Sequence, residues 1–312
     1  MRISRVKTLR LSYPYYLTIL LCIMFVFSAS LSYYILINDQ CNCSGPVNQI
    51  KYTTPSRKKL ISTKHKLAIL VPYRNRFEEL LDFVPYMNNF LSNQRINFDI
   101  IVLNQIDQYR FNRASLLNAG FLETRDNYDY IAMHDVDLLP LNMNLSYKYP
   151  EQPFHVAAPT LHPRYHYDKF IGGILLINRK HFELVNGLSN RYWGWGLEDD
   201  EFYVRLKDAH LNITRPVNIT TGTNDTFRHI HGKDRKRDTA KCFNQREVTR
   251  RRDRQTGLHD VKYEIFGRKR MEIEDSPVIV INVKLHCDLT ATPWCNCDKK
   301  AETNNSANKK KT

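Results

Sequence analysis

The sequence predicts an α/β domain carried behind an N-terminal membrane anchor. The anchor follows from residues 11–38, which hold no charged side chain, and from the four basic residues with no acid that precede them. The α/β class follows from short apolar runs that alternate with amphipathic stretches in units of about 30 residues, the pattern of a sheet with helices packed on its faces. Composition agrees. The chain has 312 residues, 42% hydrophobic and 25% charged, which is enough for one sizeable core and unlike a collagenous or wholly disordered chain.

A membrane span needs about 20 apolar residues, and residues 17–36 form a dense apolar stretch. The alternative is a cleaved signal peptide, whose apolar core is ~7–15 residues; Ser28, Ala29 and Ser30 leave a cleavage site open. Arg2, Arg5, Lys7 and Arg10 precede the stretch and only Asp39 directly follows it. The positive-inside rule then places the N-terminus in the cytosol and the body in the lumen, a single-pass type II arrangement. The expected divisions are a cytoplasmic tail (1–10), a transmembrane signal-anchor (11–38), a stem (39–66), a lumenal folded domain (67–298) and a disordered basic tail (299–312). Sequons at Asn42, Asn144, Asn212, Asn218, Asn224 and Asn304 agree with a lumenal body. So do Cys242, Cys287, Cys295 and Cys297, which read as two disulfides. A four-cysteine zinc site is the other reading, but Cys295 and Cys297 are closer together than such sites use.

The net charge of +14 suggests a nucleic-acid binder until it is located. Segments 1–10, 233–254 and 299–312 carry +4, +6 and +4, so the rest of the chain is neutral. A nucleic-acid surface would spread its bases over the folded body; no nucleic-acid partner is expected.

Along the domain, residues 67–71 (LAILV) read as a buried strand closed by Pro72. Residues 77–91 have helical spacing, bent or interrupted at Pro85. A second strand is expected over 98–105 and a third over 128–133. Between them, residues 111–123 form a helix with Leu116, Leu117 and Phe121 on one stripe. Further strands are expected at 153–158, 170–177 and 278–285, with a helix beginning near Glu198. The alternation predicts a parallel sheet, whose ligands sit at the carboxyl ends of the strands. Tyr73-Arg74-Asn75-Arg76 and His134-Asp135-Val136-Asp137 both fall there.

Four constellations carry chemistry. Asp135 and Asp137, at i and i+2 after a strand, can bracket a hard divalent cation, although solvated turn carboxylates have the same spelling. His229 and His231 share a face of an extended segment and can complete a metal site begun by a carboxylate; the donor types suit Mn²⁺, Fe²⁺ or Zn²⁺ equally. Trp193-Gly194-Trp195-Gly196-Leu197 runs into Glu198-Asp199-Asp200-Glu201. Helix-dipole stabilisation accounts for the acids but not for the two tryptophans, whereas a sugar site uses both, stacking ring faces and accepting hydroxyl hydrogen bonds. Gly172-Gly173 inside an apolar strand marks a bulge or close approach. Tyr165 and Tyr167 alternate onto one face, as rim tyrosines of the core or as walls of the same pocket.

In this order the motifs PYRNR (72–76), FNRASLLNAGF (111–121), HDVDLLP (134–140), FIGGILLINR (170–179), WGWGLEDDEF (193–202) and HIHG (229–232) resemble the β1,4-galactosyltransferase family. The likeness runs from residue 67 to about residue 231. Leu197 after WGWG, HIH in place of a Met-x-x-His metal motif, and the four-cysteine end point to the branch that adds galactose to xylose on proteoglycan core proteins. The resemblance implies a GT-A-type, Rossmann-like glycosyltransferase domain, UDP-galactose as donor, a xylosylated core protein as acceptor, and residence in the Golgi membrane. It implies Mn²⁺ held by Asp137, His229 and His231, and Asp199 as catalytic base. Pro72, Arg74, Arg76, Phe111, Arg113, Asp135, Val136, Asp137, Gly173 and Trp195 match donor-binding positions. Tyr165, Tyr167, Trp195, Gly196, Glu198 and Asp200 match acceptor-binding ones. In the family, the region of residues 232–254 is a lid over the donor; here its charge also suits acidic stretches of a core protein. Alternatives are transfer of galactose or N-acetylgalactosamine to N-acetylglucosamine-type acceptors, or a lectin-like protein with a dead site.

Overall fold

The computed structural model describes residues 13–38, 64–232 and 235–297. The tails 1–10 and 299–312, and the stem up to residue 63, lie outside the described residues. The chain divides into two compact units, 1–58 and 59–312.

In the first unit, helix α1 (Tyr13–Asn38) is 26 residues long, roughly 39 Å at 1.5 Å per residue. Its side chains are described at residue 18 and residues 20–33, and among the described residues no helix is long and apolar enough to cross a membrane. Leu20, Ile23, Phe25 and Phe27 are exposed. The hydroxyls of Ser30 and Ser32 donate to the carbonyls four residues back, at 2.8 and 3.0 Å, which satisfies them within the helix.

In the second unit, β1 (Lys66–Tyr73) leads into α2 (Phe77–Asn93), β2 (Asn97–Gln105), α3 (Arg113–Thr124), β3 (Tyr130–His134), β4 (Leu138–Pro140), β5 (Phe154–His155) and β6 (Ile174–Asn178). There follow α4 (Arg179–Leu184), α5 (Glu198–Asp208), α6 (Gly222–Asp225), β7 (Phe227–His229), α7 (Gln245–Arg250), β8 (Tyr263–Ile273) and β9 (Ser276–Leu285). One seven-stranded sheet has the order β5-β6-β3-β1-β2-β9-β8, and β4 pairs with β7 in a separate ribbon.

Strand alternation builds the two sides of the core. From β1, Ala68 and Leu70 face the cluster under α3, α4 and α5 with Leu117, Phe121, Phe182 and Phe202. Leu67, Ile69 and Val71 face the opposite cluster under α2 with Phe83, Val84 and Met87.

Four expectations need correction. The sheet is mixed: β3, β1, β2 and β9 are parallel, but β6 runs antiparallel to β3, β5 to β6, and β8 to β9. The cause is a loop return into β6 instead of a helical crossover, and a hairpin into β9 whose turn residues Glu274 and Asp275 both have positive φ. Pro85 does not interrupt α2, because Phe83, Val84, Met87, Phe90 and Leu91 are buried on both sides of it and that packing outweighs a cost of ~3 kcal/mol. The strand expected at 153–158 is only Phe154–His155. The strand expected at 170–177 starts at Ile174, leaving Gly172-Gly173 as the turn before it, with Gly173 at φ 73°. β1 begins at Lys66.

Cys242, Cys287, Cys295 and Cys297 form the two expected disulfides, paired Cys242–Cys297 and Cys287–Cys295, which leaves none of them for zinc. They close the C-terminal end around Trp294, which is buried and donates from Nε1 to the Arg191 carbonyl at 2.8 Å.

Candidate active site

The β4–β7 ribbon assembles the metal-binding triad. Leu138 is paired with His229, and Ile230 N–H donates to the Asp137 carbonyl at 2.7 Å, so residues far apart in sequence meet side by side. Asp137 Oδ2 lies 3.1 Å from His231 Nδ1 and 3.8 Å from His229 Nε2, and one ligand atom from each residue falls within 4.8 Å of the others. The two imidazoles stack with centroids 5.5 Å apart. Burial lowers the pKa of His229, partly opposed by Asp137, and a neutral imidazole is the form that binds metal. One carboxylate and two imidazoles fit Mn²⁺.

Asp135 does not join them. Residues 135–137 form a turn and not a strand end, and among the described residues the group able to hold a metal contains Asp137 without Asp135. Asp135 accepts from Arg113 Nε at 2.8 Å, and its N–H donates to the Gly173 carbonyl at 3.0 Å. Val136 is buried between them. His134 fixes this turn from below, with its Nδ1 2.9 Å from the Asp135 carbonyl and its Nε2 3.0 Å from the Tyr147 hydroxyl. Burial pushes its pKa down to about 4, so it is a neutral structural group.

Asp199 sits in the first turn of α5, after Leu197 in the left-handed region at φ 77°. Its Oδ1 accepts from the Asp200 N–H at 3.0 Å. Burial and the neighbouring Glu198 and Asp200 raise its pKa to about 8, against the pull of Arg113. Arg113 itself is disfavoured by burial, but Asp135, Glu198 and Asp199 more than restore its charge. Glu198 is also raised by burial, and its Oε2 is buried with no hydrogen-bond partner among the described residues. Gly172 makes room for this carboxylate: a Cβ there would lie 2.7 Å from Asp199 Oδ2.

The aromatic wall stands beside these acids. Phe170 is its hub, with Tyr165 at 5.0 Å and Tyr167 at 5.6 Å between ring centroids. Tyr167 is raised by burial and by Asp199, and its hydroxyl is hydrogen-bonded to Asp200. Trp195 is 46% exposed on the Gly194–Gly196 bend, where Gly196 has φ 102°.

On the opposite side, Pro72 ends the buried part of β1. The Arg74 guanidinium is committed to the loop after β2, donating to the carbonyls of Gln105, Tyr109 and Asp107 and to the Asp107 carboxylate. It lies 5.9 Å from the Phe111 ring. Arg74 therefore shapes the cleft through that loop and offers no free fork. Arg76 pairs with Glu79 at 3.1 Å.

Several neighbours carry no motif in the sequence. Arg237 lies 5.0 Å from the Trp195 ring and 6.0 Å from the Tyr165 ring, bridging the two walls. Arg235 reaches Glu79 at 2.7 Å and Glu78 at 2.9 Å; burial raises the Glu79 pKa, but Arg235 and Arg76 more than offset it. Arg110 forks onto Asp238 at 2.6 and 2.9 Å, and Trp195 N–H donates to the Asp238 carbonyl at 2.8 Å. The segment after His231 is thus tied to α2, to Arg110 and, through Cys242–Cys297, to the C-terminal end. His162 accepts two backbone N–H groups on Nδ1, which leaves its proton on Nε2, 6.1 Å between ring centroids from His229; burial and then His229 push its pKa to about 4. The run of bases around Arg235 was the one available signal for these contacts, and it did not say which base goes where.

Residues 33–150 match the model of the N-terminal region of glycosyl transferase group 7, and residues 152–231 that of the N-terminal domain of galactosyltransferase. β-1,4-galactosyltransferase 7 of Drosophila melanogaster is 62% identical over 236 residues, 75% of this chain and 73% of that protein. Xylosylprotein 4-β-galactosyltransferase of Caenorhabditis elegans is 50% identical over 244 residues, 76% of this chain and 84% of that protein. A solved structure of a mutant of the Drosophila enzyme, in complex with manganese, UDP-Gal and xylobiose, superposes with a TM-score of 0.74 over 75% of this chain and 99% of its own, at 62% identity.

Proposed function

The chain belongs to the β1,4-galactosyltransferase family, and from that membership and the geometry of its site we propose that it transfers galactose from UDP-galactose to the 4-hydroxyl of xylose on a proteoglycan core protein. It is a Mn²⁺-dependent inverting glycosyltransferase of GT-A-like fold that builds the first galactose of the glycosaminoglycan linker. The observation that carries the catalytic reading is Asp199. It is a carboxylate raised toward neutral pH, placed between the aromatic wall and the acid-paired Arg113.

In the reaction Asp199 takes the proton of the acceptor 4-hydroxyl while that oxygen attacks the galactose C1 from the face opposite UDP. The new C1–O bond forms as the C1–O bond to the diphosphate breaks, and its electron pair leaves with UDP. No covalent enzyme intermediate is needed. General-base assistance of this kind contributes about 10²–10⁴ in rate. Asp137, His229 and His231 would hold Mn²⁺, which when bound supplies Lewis-acid stabilisation of charge on the departing diphosphate. Arg113, locked on Asp135, adds fixed positive charge next to the acids. Trp195, Tyr165 and Tyr167 stack the acceptor ring. Asp200, Gly196 and Glu198, whose Oε2 has no hydrogen-bond partner among the described residues, receive its hydroxyls. Pro72, Arg74, Arg76, Phe111, Val136 and Gly173 frame the donor, Arg74 through the loop after β2 and Arg76 through its pair with Glu79 on α2. The latches at Glu79 and Arg110 support the lid reading of the segment after His231, and closure would keep water from the donor.

We also propose that α1 anchors the chain in the Golgi membrane as a single-pass type II protein with its catalytic unit in the lumen. The charge-free span and its basic N-terminal flank support this reading. Comparing kcat/KM for a β-xyloside and an N-acetylglucosaminide, with UDP-galactose and Mn²⁺, tests the acceptor: preference for the N-acetylglucosaminide would reject xylose while keeping the family.

A further inference from the structure

The body's excess positive charge lies in residues 233–254, and the structure separates committed cations from uncommitted ones. Arg235 is held by Glu78 and Glu79, Arg251 pairs with Glu247, and Arg254 lies 3.6 Å from Asp208. Arg237 covers Trp195, and Lys241 Nζ donates to the Trp195 carbonyl at 3.3 Å. Arg246, Arg250 and Arg252 are exposed and have no ion-pair partner among the described residues. Arg246 and Arg250 stand four apart on α7 and so share a face.

The other face of α7 is fixed to the acceptor wall. Gln245, 1% exposed, donates from Nε2 to the Trp193 carbonyl at 2.7 Å. The Tyr192 hydroxyl donates to the Thr249 carbonyl at 3.1 Å. Trp193 is two residues from Trp195, so α7 is hydrogen-bonded to the segment that carries the sugar-stacking ring. A single pentose offers few contacts. Trp195 is 46% exposed, and a polypeptide leaving the pocket past it toward α7 would meet this uncommitted positive charge.

We propose that Arg246, Arg250 and Arg252 form a docking surface for acidic side chains flanking the xylosylated residue of the protein acceptor. This rests on the xylose-acceptor reading and adds to it what the enzyme recognises beyond the sugar. Three exposed guanidiniums, each worth little alone, act together through a field that salt screens within about 8–10 Å.

The test uses the full chain in detergent with UDP-galactose, Mn²⁺ and three acceptors: a β-xyloside, a xylosylated peptide with acidic flanks, and the same peptide with those acids as amides. The expected result is a KM several-fold lower for the acidic peptide than for the amide peptide, lost at 0.5 M NaCl. The Arg246→Gln, Arg250→Gln, Arg252→Gln triple variant should abolish that preference and leave the xyloside KM unchanged, while the corresponding triple Lys variant keeps most of it. Equal KM for both peptides in wild type, with the xyloside turned over, overturns the docking surface alone. No turnover of the xyloside overturns the xylose reading and the surface with it.

Discussion

Replacing Asp199 with Asn should silence transfer and stabilise the fold at the same time. Asn keeps the shape and can still accept from the Asp200 N–H, but it cannot take a proton or carry charge. The wild-type carboxyl is raised from 3.8 to about 8. At 1.36 kcal/mol per unit, ionising it in the folded protein costs up to about 6 kcal/mol, a cost shared with the coupled Glu198. The sign follows from linkage: between the unfolded and folded pKa values the native state binds more protons, so this group's contribution makes stability fall as pH rises from about 4 to about 8. The variant escapes that fall. Relief of a third of the cost, about 2 kcal/mol, would raise Tm by roughly 4–8 °C for a domain of this size. Thermal unfolding of both proteins at pH 4 and at pH 8.5 measures the gap, which should be small at the first and full at the second. Galactose transfer should fall about 10²–10⁴-fold while Mn²⁺-dependent UDP binding persists. A variant that melts below wild type at pH 8.5, or that loses UDP binding along with activity, would refute the assignment of Asp199 as a strained base.

His231→Ala, which removes the imidazole nearest Asp137, should weaken Mn²⁺ by at least the ~10–100-fold typical of losing even a supporting residue; a Mn²⁺ titration followed by electron paramagnetic resonance reads it. Gly172→Ala should lower kcat about 10²-fold by displacing the Asp199 carboxylate, with UDP affinity unchanged in calorimetry, because the added methyl meets Oδ2 and the Phe170 ring at 2.7 Å. Arg237→Ala should raise the xyloside KM several-fold, as expected for the loss of two cation–π contacts at a half-buried site, and leave the UDP-galactose KM in place; the reverse pattern would move Arg237 to the donor side.

How much of this was legible in the sequence varies with the range of the interaction. The apolar runs at the cores of β1, β2 and β9 and the stripe on α3 are local patterns, and each became the expected element. His229 and His231 were nominated by type and spacing, and Asp137 rather than Asp135 by the family resemblance, but Asp137 and His231 are 94 positions apart, and the β4–β7 ribbon that joins them is six residues with no alternation to detect. The hairpin of β8 and β9 was hidden for another reason. Its turn uses Glu274 and Asp275 at positive φ, where glycine or asparagine would have announced it. Arg74 shows the limit for side chains: a motif can name a guanidinium but cannot say that its donors face its own scaffold. The raised pKa of Asp199 depends on burial next to Glu198 and Asp200, which four acids in a row do not reveal, since the same string on an exposed helix end would titrate normally.

The central claim is that this chain joins galactose to xylose with a metal held by Asp137, His229 and His231 and a proton taken by Asp199. Its most direct test is the purified full chain incubated with UDP-galactose and a β-xyloside, with Mn²⁺ or with EDTA, and the product identified by nuclear magnetic resonance. Galactosyl-β1,4-xylose formed with Mn²⁺ and absent with EDTA is the predicted result. Transfer that persists in EDTA, or a product with retained α configuration, would contradict the account.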